Sequence, residues 1–98
     1  MYKEVNIDDI INNLSSINLI DIRSNYMYLN GTIENSINID GIELCNNPGK
    51  YLDKNRIYYI FCDTGSTSKS VCLFLLKRGY NLINIAGGYN EYKRKKLV

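Results

Sequence analysis

The sequence contains no histidine and no tryptophan, and it has a single proline among its 98 residues. Histidine is the commonest general base and the commonest metal ligand of proteins. Its absence argues against a hydrolase with a Cys-His pair, and we expect neither a metal nor a cofactor. Any chemistry must therefore rely on cysteine, carboxylate, hydroxyl or backbone amide groups.

Cysteine is scarce too, and the three that are present, Cys45, Cys62 and Cys72, form no C-x-x-C pair. We therefore expect no disulfide framework, and the pattern favours a reducing compartment, the cytoplasm. The opening segment MYKEVNIDDI has no apolar run suited to a signal peptide, and no stretch approaches the ~20 apolar residues of a membrane span. We expect no membrane partner.

Positive and negative side chains nearly balance, with twelve Lys and Arg against ten Asp and Glu. Four of the basic residues form a cluster at positions 93–96, so the rest of the chain is mildly acidic. A nucleic-acid-binding protein shows basic residues over a folded face, and we therefore expect no nucleic-acid partner. The cluster is interpreted as a solvated, frayed terminus.

What the chain does have is enough apolar sequence for one domain, which we assign to residues 1–98. Hydrophobic residues make up 45% of it. Short strands are predicted at 2–5, 17–22, 36–39, 57–61 and 82–85. Helices are predicted after residue 6, at 69–78 and at 89–95, with a loop at 46–49. Alternating strands and helices indicate an α/β fold, a mainly parallel sheet covered by helices on both faces.

The segment with the clearest chemistry begins at Cys62, which follows the buried strand IYYIF and precedes a glycine-containing loop and a helix. Ligands of open α/β sheets bind beyond the carboxyl ends of the strands. The loop 62–67 can turn several backbone amides toward the sulfur, and a helix starting near Ser68 adds further amides and the positive end of its dipole. These groups favour a thiolate, the nucleophilic form of cysteine.

Several neighbours of this cysteine are assigned to the same substrate- or persulfide-binding loop. Gly65 permits backbone torsions that other residues resist, and the nearby hydroxyls belong to Thr64, Ser66, Thr67 and Ser68. A carboxylate at Asp63 would raise the pKa of the cysteine if it faced inward, so we expect it to point to solvent. The thiol itself is expected at the loop and outside the core. A persulfide there would need hydrogen-bond donors but no general base.

The segment FCDTGSTSKSVCLFLLKRGYNLINIAGGYNEY resembles the second half of a rhodanese domain, with its C-x-x-G-x-x-S loop, Gly-aromatic turn and G-G-x-x-x-aromatic ending. In the first half, LIDIRS and GTIENSINI are similar to the D-x-R strand end and the G-H-I segment of that family. The resemblance spans nearly the whole chain, in the right order and spacing.

The resemblance implies a doubly wound α/β domain around a five-stranded, mostly parallel sheet. It also implies a sulfurtransferase in which a small-molecule donor such as thiosulfate loads Cys62 as a persulfide. A thiol or cyanide then unloads the sulfur, and a sulfur-relay protein is another candidate partner.

The chain departs from the family pattern in the charge of its loop. Many members carry Arg or Lys where this loop has Asp63, Thr64 and Thr67, which weakens the expectation of thiosulfate binding. Lys69 and Arg23 are candidate substitutes for steering an anion. Thr32 replaces the histidine of G-H-I, and we interpret this as a lost structural contact.

Other interpretations remain open from the sequence. A Cys-based phosphatase needs C-x5-R, but position 68 is Ser68. A rhodanese-like module that binds a protein or senses oxidation would fit the unusual loop charge. Cys45 is a weak candidate for a disulfide with Cys62, whereas Cys72 falls on the apolar face of a helix and is interpreted as a core residue.

Overall fold

Strands and helices alternate in the computed structural model, which describes residues 1–96. Its strands are β1 (Lys3–Asn6), β2 (Asn18–Asp21), β3 (Ile37–Asn38), β4 (Ile57–Phe61) and β5 (Asn81–Ala86). Its α-helices are α1 (Ile7–Ile10), α2 (Asn25–Asn30), α3 (Gly41–Asn46), α4 (Pro48–Tyr51), α5 (Ser66–Leu76) and α6 (Gly88–Lys96), with a 3-10 helix at Leu14–Ser16. The order confirms the predicted α/β class.

The strands form one five-stranded sheet in the order β1-β5-β4-β2-β3, and every pairing is parallel. The predicted sheet is thus confirmed. Strand β4 lies between β2 and β5, with Phe61 opposite Asp21 and Ile60 opposite Asn84. Because parallel strands end at the same edge, the residues after β2 and those after β4 emerge side by side.

Helices cover both faces of the sheet, as predicted, because successive side chains of a strand point to opposite faces. Ile60 packs on one face with Leu44 of α3 and Leu75 of α5. Its neighbour Phe61 packs on the other face with Ile7 of α1 and Tyr92 of α6. Central strands buried on both sides explain why IYYIF is nearly continuous in apolar and aromatic residues.

The predicted loop at 46–49 is wrong, because this stretch belongs to two short helices separated only by Asn47. The carboxylate of Asp40 caps α3 by accepting from the amides of Ile42 and Glu43. Pro48 occupies the first position of α4, where its missing N–H costs nothing. The turn-forming composition of this stretch thus reflects helix starts and not a loop.

The basic cluster at 93–96 is exposed, as expected, but it is not frayed, since α6 continues through Lys96. Lys95 pairs with Asp8 at 3.1 Å, and Tyr92 of the same helix is buried. Among the described residues, no helix has both the length and the apolar character needed to cross a bilayer.

Candidate active site

Cys62 follows the last residue of β4 and is 6% exposed. The expectation of a thiol outside the core is wrong, because Cys62 packs in the same cluster as Ile60 and Val71. It nevertheless borders an open cavity of about 410 Å³. The residues around this cavity are Ile22, Arg23, Ser24, Met27, Cys62, Asp63, Thr64 and Thr67.

Three hydrogen-bond donors converge on the sulfur of Cys62. The amide of Gly65 lies 3.2 Å from Sγ, and the amide and hydroxyl of Ser68 both lie 3.4 Å from it. The loop is tighter than predicted, because α5 begins at Ser66 and the amide of Ser68 belongs to its first turn. Gly65 adopts a φ of +96°, which brings the helix start back over the sulfur.

These donors lower the pKa of the Cys62 thiol. Burial raises the pKa of Cys62, but the Ser68 hydroxyl and the amides of Ser68, Gly65 and Thr64 lower it by more, and the net pKa is below the ordinary value. For Cys72, burial acts without such donors and raises the pKa to about 12. Of these two buried thiols, only Cys62 is therefore prepared to react as a thiolate.

Asn84 of β5 holds the loop in this shape. Its side chain is 1% exposed, and its carbonyl oxygen accepts from the Ser68 hydroxyl at 2.5 Å. Its amide group donates to the carbonyl of Gly65 and to the hydroxyl of Tyr2, both at 3.0 Å. Sequence reasoning missed Asn84, although a polar residue inside a buried strand was a usable signal.

The start of α6 holds the other side of the loop. The amides of Tyr89 and Asn90 donate to the carbonyls of Cys62 and Asp63, at 2.9 and 3.0 Å. A Cβ atom on Gly88 would clash with both carbonyl oxygens. Glycine is required at this position because the two backbones approach so closely.

Arg23, a candidate for anion steering, borders the cavity but is held by carboxylates. Its guanidinium pairs with buried Asp21 at 2.7 Å and with Asp63 at 3.2 Å, and it donates to the carbonyl of Gly31 at 2.6 Å. Burial lowers the pKa of Arg23, but Asp21 and then Asp63 raise it by more. The expectation that Asp63 points to solvent holds only in part, since its side chain is 47% exposed but its carboxylate also binds this guanidinium.

Thr32, at the position of the family histidine, makes structural contacts of its own. Its hydroxyl donates to Asp21 at 2.8 Å and lies 2.7 Å from the hydroxyl of Ser36. The short side chain thus fixes the carboxylate that in turn fixes Arg23.

The remaining predicted residues divide into two groups. Thr64 and Thr67 border the cavity with Cys62, whereas Ser66 and Lys69 do not. The ammonium of Lys69 lies 5.3 Å from the ring centre of Tyr2, on the side of the loop where Tyr2 meets Asn84.

The other two cysteines remain unpaired, and Cys45 borders a neighbouring cavity with Phe74. Within residues 1–96, no three or more Cys, Asp or Glu side chains form a group that could hold a metal ion.

The match to a family model and the match to a known protein agree with each other. The family model of the Rhodanese-like domain matches residues 6–95. The chain is 32% identical over 72 residues to YtwF of Bacillus subtilis (strain 168), a candidate sulfurtransferase by name, and the match covers 71% of this chain and 67% of YtwF.

Two solved structures show the same fold over almost the full length. A rhodanese-related protein of Thermoplasma volcanium is 29% identical with a TM-score of 0.85, covering 96% of this chain and 93% of that one. A rhodanese-like domain protein of Staphylococcus aureus is 28% identical with a TM-score of 0.83, covering 92% and 90%.

Fold and site together define an α/β domain with a cysteine at the carboxyl edge of a parallel sheet. The pKa of this cysteine is lowered, and backbone amides donate hydrogen bonds to its sulfur. The chain belongs to the rhodanese-like domain family. The family and the similarity to YtwF support a function of the sulfurtransferase type.

Proposed function

We propose that this domain, spanning residues 1–98, is a sulfurtransferase of the thiosulfate sulfurtransferase type that carries a sulfane sulfur as a persulfide on Cys62. The observation that carries the proposal is the convergence of the Gly65 and Ser68 donors on Sγ within 3.2–3.4 Å. These donors stabilise negative charge on sulfur, and the adjoining cavity of about 410 Å³ has room for a donor molecule.

The reaction requires only these groups. The Cys62 thiolate attacks the outer sulfur of a donor such as thiosulfate, the sulfur–sulfur bond breaks, and sulfite leaves with its electron pair. Cyanide or a thiol then attacks the outer sulfur of the persulfide, and the Cys62 thiolate leaves. Neither step with an anionic nucleophile needs a general base, which agrees with a chain that has no histidine.

The proposed partners are the small-molecule donor and acceptor, or a sulfur-relay protein in place of either. Because a thiolate must survive between turnovers, we place the reaction in a reducing compartment, the cytoplasm. The three unpaired cysteines agree with this placement.

The phosphatase interpretation receives no support from the site. The position that would carry the phosphate-gripping arginine is Ser68, which is fully buried and hydrogen-bonded to Asn84. Within the described part of the chain, the only guanidinium that borders the cavity belongs to Arg23, which Asp21 and Asp63 already bind.

Intact mass tests the proposal. After incubation with thiosulfate, the wild-type protein should be one sulfur atom heavier, and cyanide should remove that atom. Cys62→Ser should never gain the sulfur, whereas Cys45→Ser should gain it as the wild type does.

A folded wild type that gains no sulfur from thiosulfate, polysulfide or an organic persulfide would overturn the proposal. It would favour the non-catalytic module that binds a protein or senses oxidation. Loading that persists in Cys62→Ser would place the chemistry on another residue.

A further inference from the structure

Among the residues that the structure describes, the charged groups at the border of the cavity include no unpaired cation for a donor. Of residues 1–96, Arg23 is the one basic residue on this border, and Asp21 and Asp63 share its guanidinium. Two carboxylates therefore face one guanidinium, and the Cys62 thiolate adds a further negative charge. Lys69, which follows Ser68 in the chain, lies over the ring of Tyr2 instead.

The same cavity has an apolar wall. Ile22 and Met27 border it, and a neighbouring cavity that shares Ile22 and Thr67 continues along Ile42 and Phe74. Met27 is 39% exposed, so a bound molecule can cover it. The cavity thus combines amide and hydroxyl donors near the sulfur with apolar surface farther out, which fits a donor with an organic group.

We propose that Asp63 makes this site selective for organic sulfane donors that carry one negative charge, such as thiosulfonates and persulfides, over dianionic thiosulfate. The inference rests on the proposed function and specifies its donor. Asp21 already balances the charge of Arg23, so Asp63 gives this group a net negative charge at the border of the cavity. Ile22 and Met27 contact the organic group.

The proposed loading step conserves charge and electrons. With methanethiosulfonate, the Cys62 thiolate attacks the outer sulfur, the sulfur–sulfur bond breaks, and methanesulfinate leaves with the bonding pair. One anionic persulfide and one anionic sulfinate result from two anions, with no proton transfer. With thiosulfate the same step brings two negative charges toward Asp63 instead of one.

Methanethiosulfonate and thiosulfate form a matched pair, because a methyl group replaces one charged oxygen and the outer sulfur is unchanged. The measurement is the second-order rate constant for sulfur loading of Cys62, followed by intact mass for wild type and Asp63→Asn. Asparagine keeps an oxygen for the guanidinium of Arg23 but removes the charge.

Coulomb energy is proportional to the charge of the donor, so the variant should gain more with the dianion. We expect Asp63→Asn to load about threefold faster from methanethiosulfonate and about tenfold faster from thiosulfate, the second factor being the square of the first. Asp53→Asn is the control, because Asp53 is an exposed carboxylate before β4, at the opposite end of that strand. It should change neither rate.

A second measurement needs no variant. Raising the ionic strength should accelerate loading of the wild type from thiosulfate more than from methanethiosulfonate, since salt screens repulsion in proportion to charge. Loading from both donors with an unchanged ratio in Asp63→Asn, or equal salt effects, overturns this inference alone. No loading from either donor overturns the proposed function with it.

Discussion

At the scale of single residues, Ser68 has one hydroxyl proton and two acceptors within reach. The carbonyl oxygen of Asn84 lies 2.5 Å away and Sγ of Cys62 lies 3.4 Å away. When the sulfur is a neutral thiol, the shorter bond to Asn84 holds the proton. When the sulfur is a thiolate, the hydroxyl of Ser68 can rotate and donate a charge-assisted hydrogen bond to it. The hydrogen bond that Ser68 makes therefore depends on whether Cys62 is protonated.

Ser68→Ala should therefore raise the pKa of Cys62, because the variant loses the side-chain donor that lowers it in the wild type. The pH at which Cys62 is half-maximally reactive toward iodoacetamide, read by peptide mass, should move upward. Ser66→Ala, on the exposed side of the same turn, should leave it in place. A midpoint in Ser68→Ala equal to or below that of the wild type would contradict this role.

The sequence predicts the strand, the glycine-containing loop and the helix around Cys62, because these elements are consecutive and each has a local signature. It does not predict what the loop contacts. Asp63 meets Arg23 from forty positions away, and Asn84 meets Ser68 from sixteen. Such pairings depend on the order of strands in the sheet, which local patterns do not contain.

At the scale of elements, the loop lies between the start of α5 and the start of α6. Gly65 packs closely against the segment just before α6. A Cβ atom on Gly65 would lie 3.0 Å from the amide nitrogen of Gly87 and 3.3 Å from the carbonyl of Ile85. The backbone there is left-handed, which costs other residues roughly 1–2 kcal/mol.

Gly65→Ala should lower the free energy of unfolding by about 2 kcal/mol and slow sulfur loading, because the Gly65 amide moves away from the sulfur. Gly49→Ala provides the matched control: its Cβ would make an ordinary contact at 3.6 Å, inside α4. It should change stability by less than about 1 kcal/mol and leave loading unchanged. Urea unfolding and intact mass measure both effects, and equal behaviour of the two variants would refute the assignment.

The predicted elements are accurate where a pattern is long. Strand β4 matches residue by residue, whereas α5 begins three residues before and ends two residues before the predicted helix at 69–78. The failures are the short helices α2, α3 and α4. Leu44 of α3 and Leu52, which directly follows α4, pack in the cluster against the sheet. In segments of four to six residues, tertiary contacts decide between loop and helix, and composition alone does not.

At the scale of the whole molecule, two cysteines of similar burial have pKa values shifted in opposite directions because they lie in different parts of the fold. Cys62 stands at the carboxyl edge, where amides from α5 reach it. Cys72 lies inside the cluster between α5 and the sheet, 2% exposed, and its pKa is raised to about 12 by burial. The folded protein thus favours a thiolate at the edge and a neutral thiol in the interior.

This contrast makes stability depend on pH in the alkaline range. Cys72 has an ordinary pKa of 9.0 and a folded pKa of about 12, so its contribution to stability is complete below about pH 9 and is lost as pH rises toward 12. From about pH 8.5 to about pH 10.5 the loss should be on the order of 2 kcal/mol.

Cys72→Val removes this titration, and the free energy of its unfolding in urea should fall less over the same pH range. Tyr2, whose pKa burial and a hydrogen bond to Glu4 raise to about 12, titrates in both proteins. The charge of Cys72 is the smallest of the causes that raise the pKa of Tyr2, so the difference between the two proteins reports mainly on Cys72. Equal slopes would mean that Cys72 reaches water when folded, because a thiol in contact with solvent ionises at the same pH in both states.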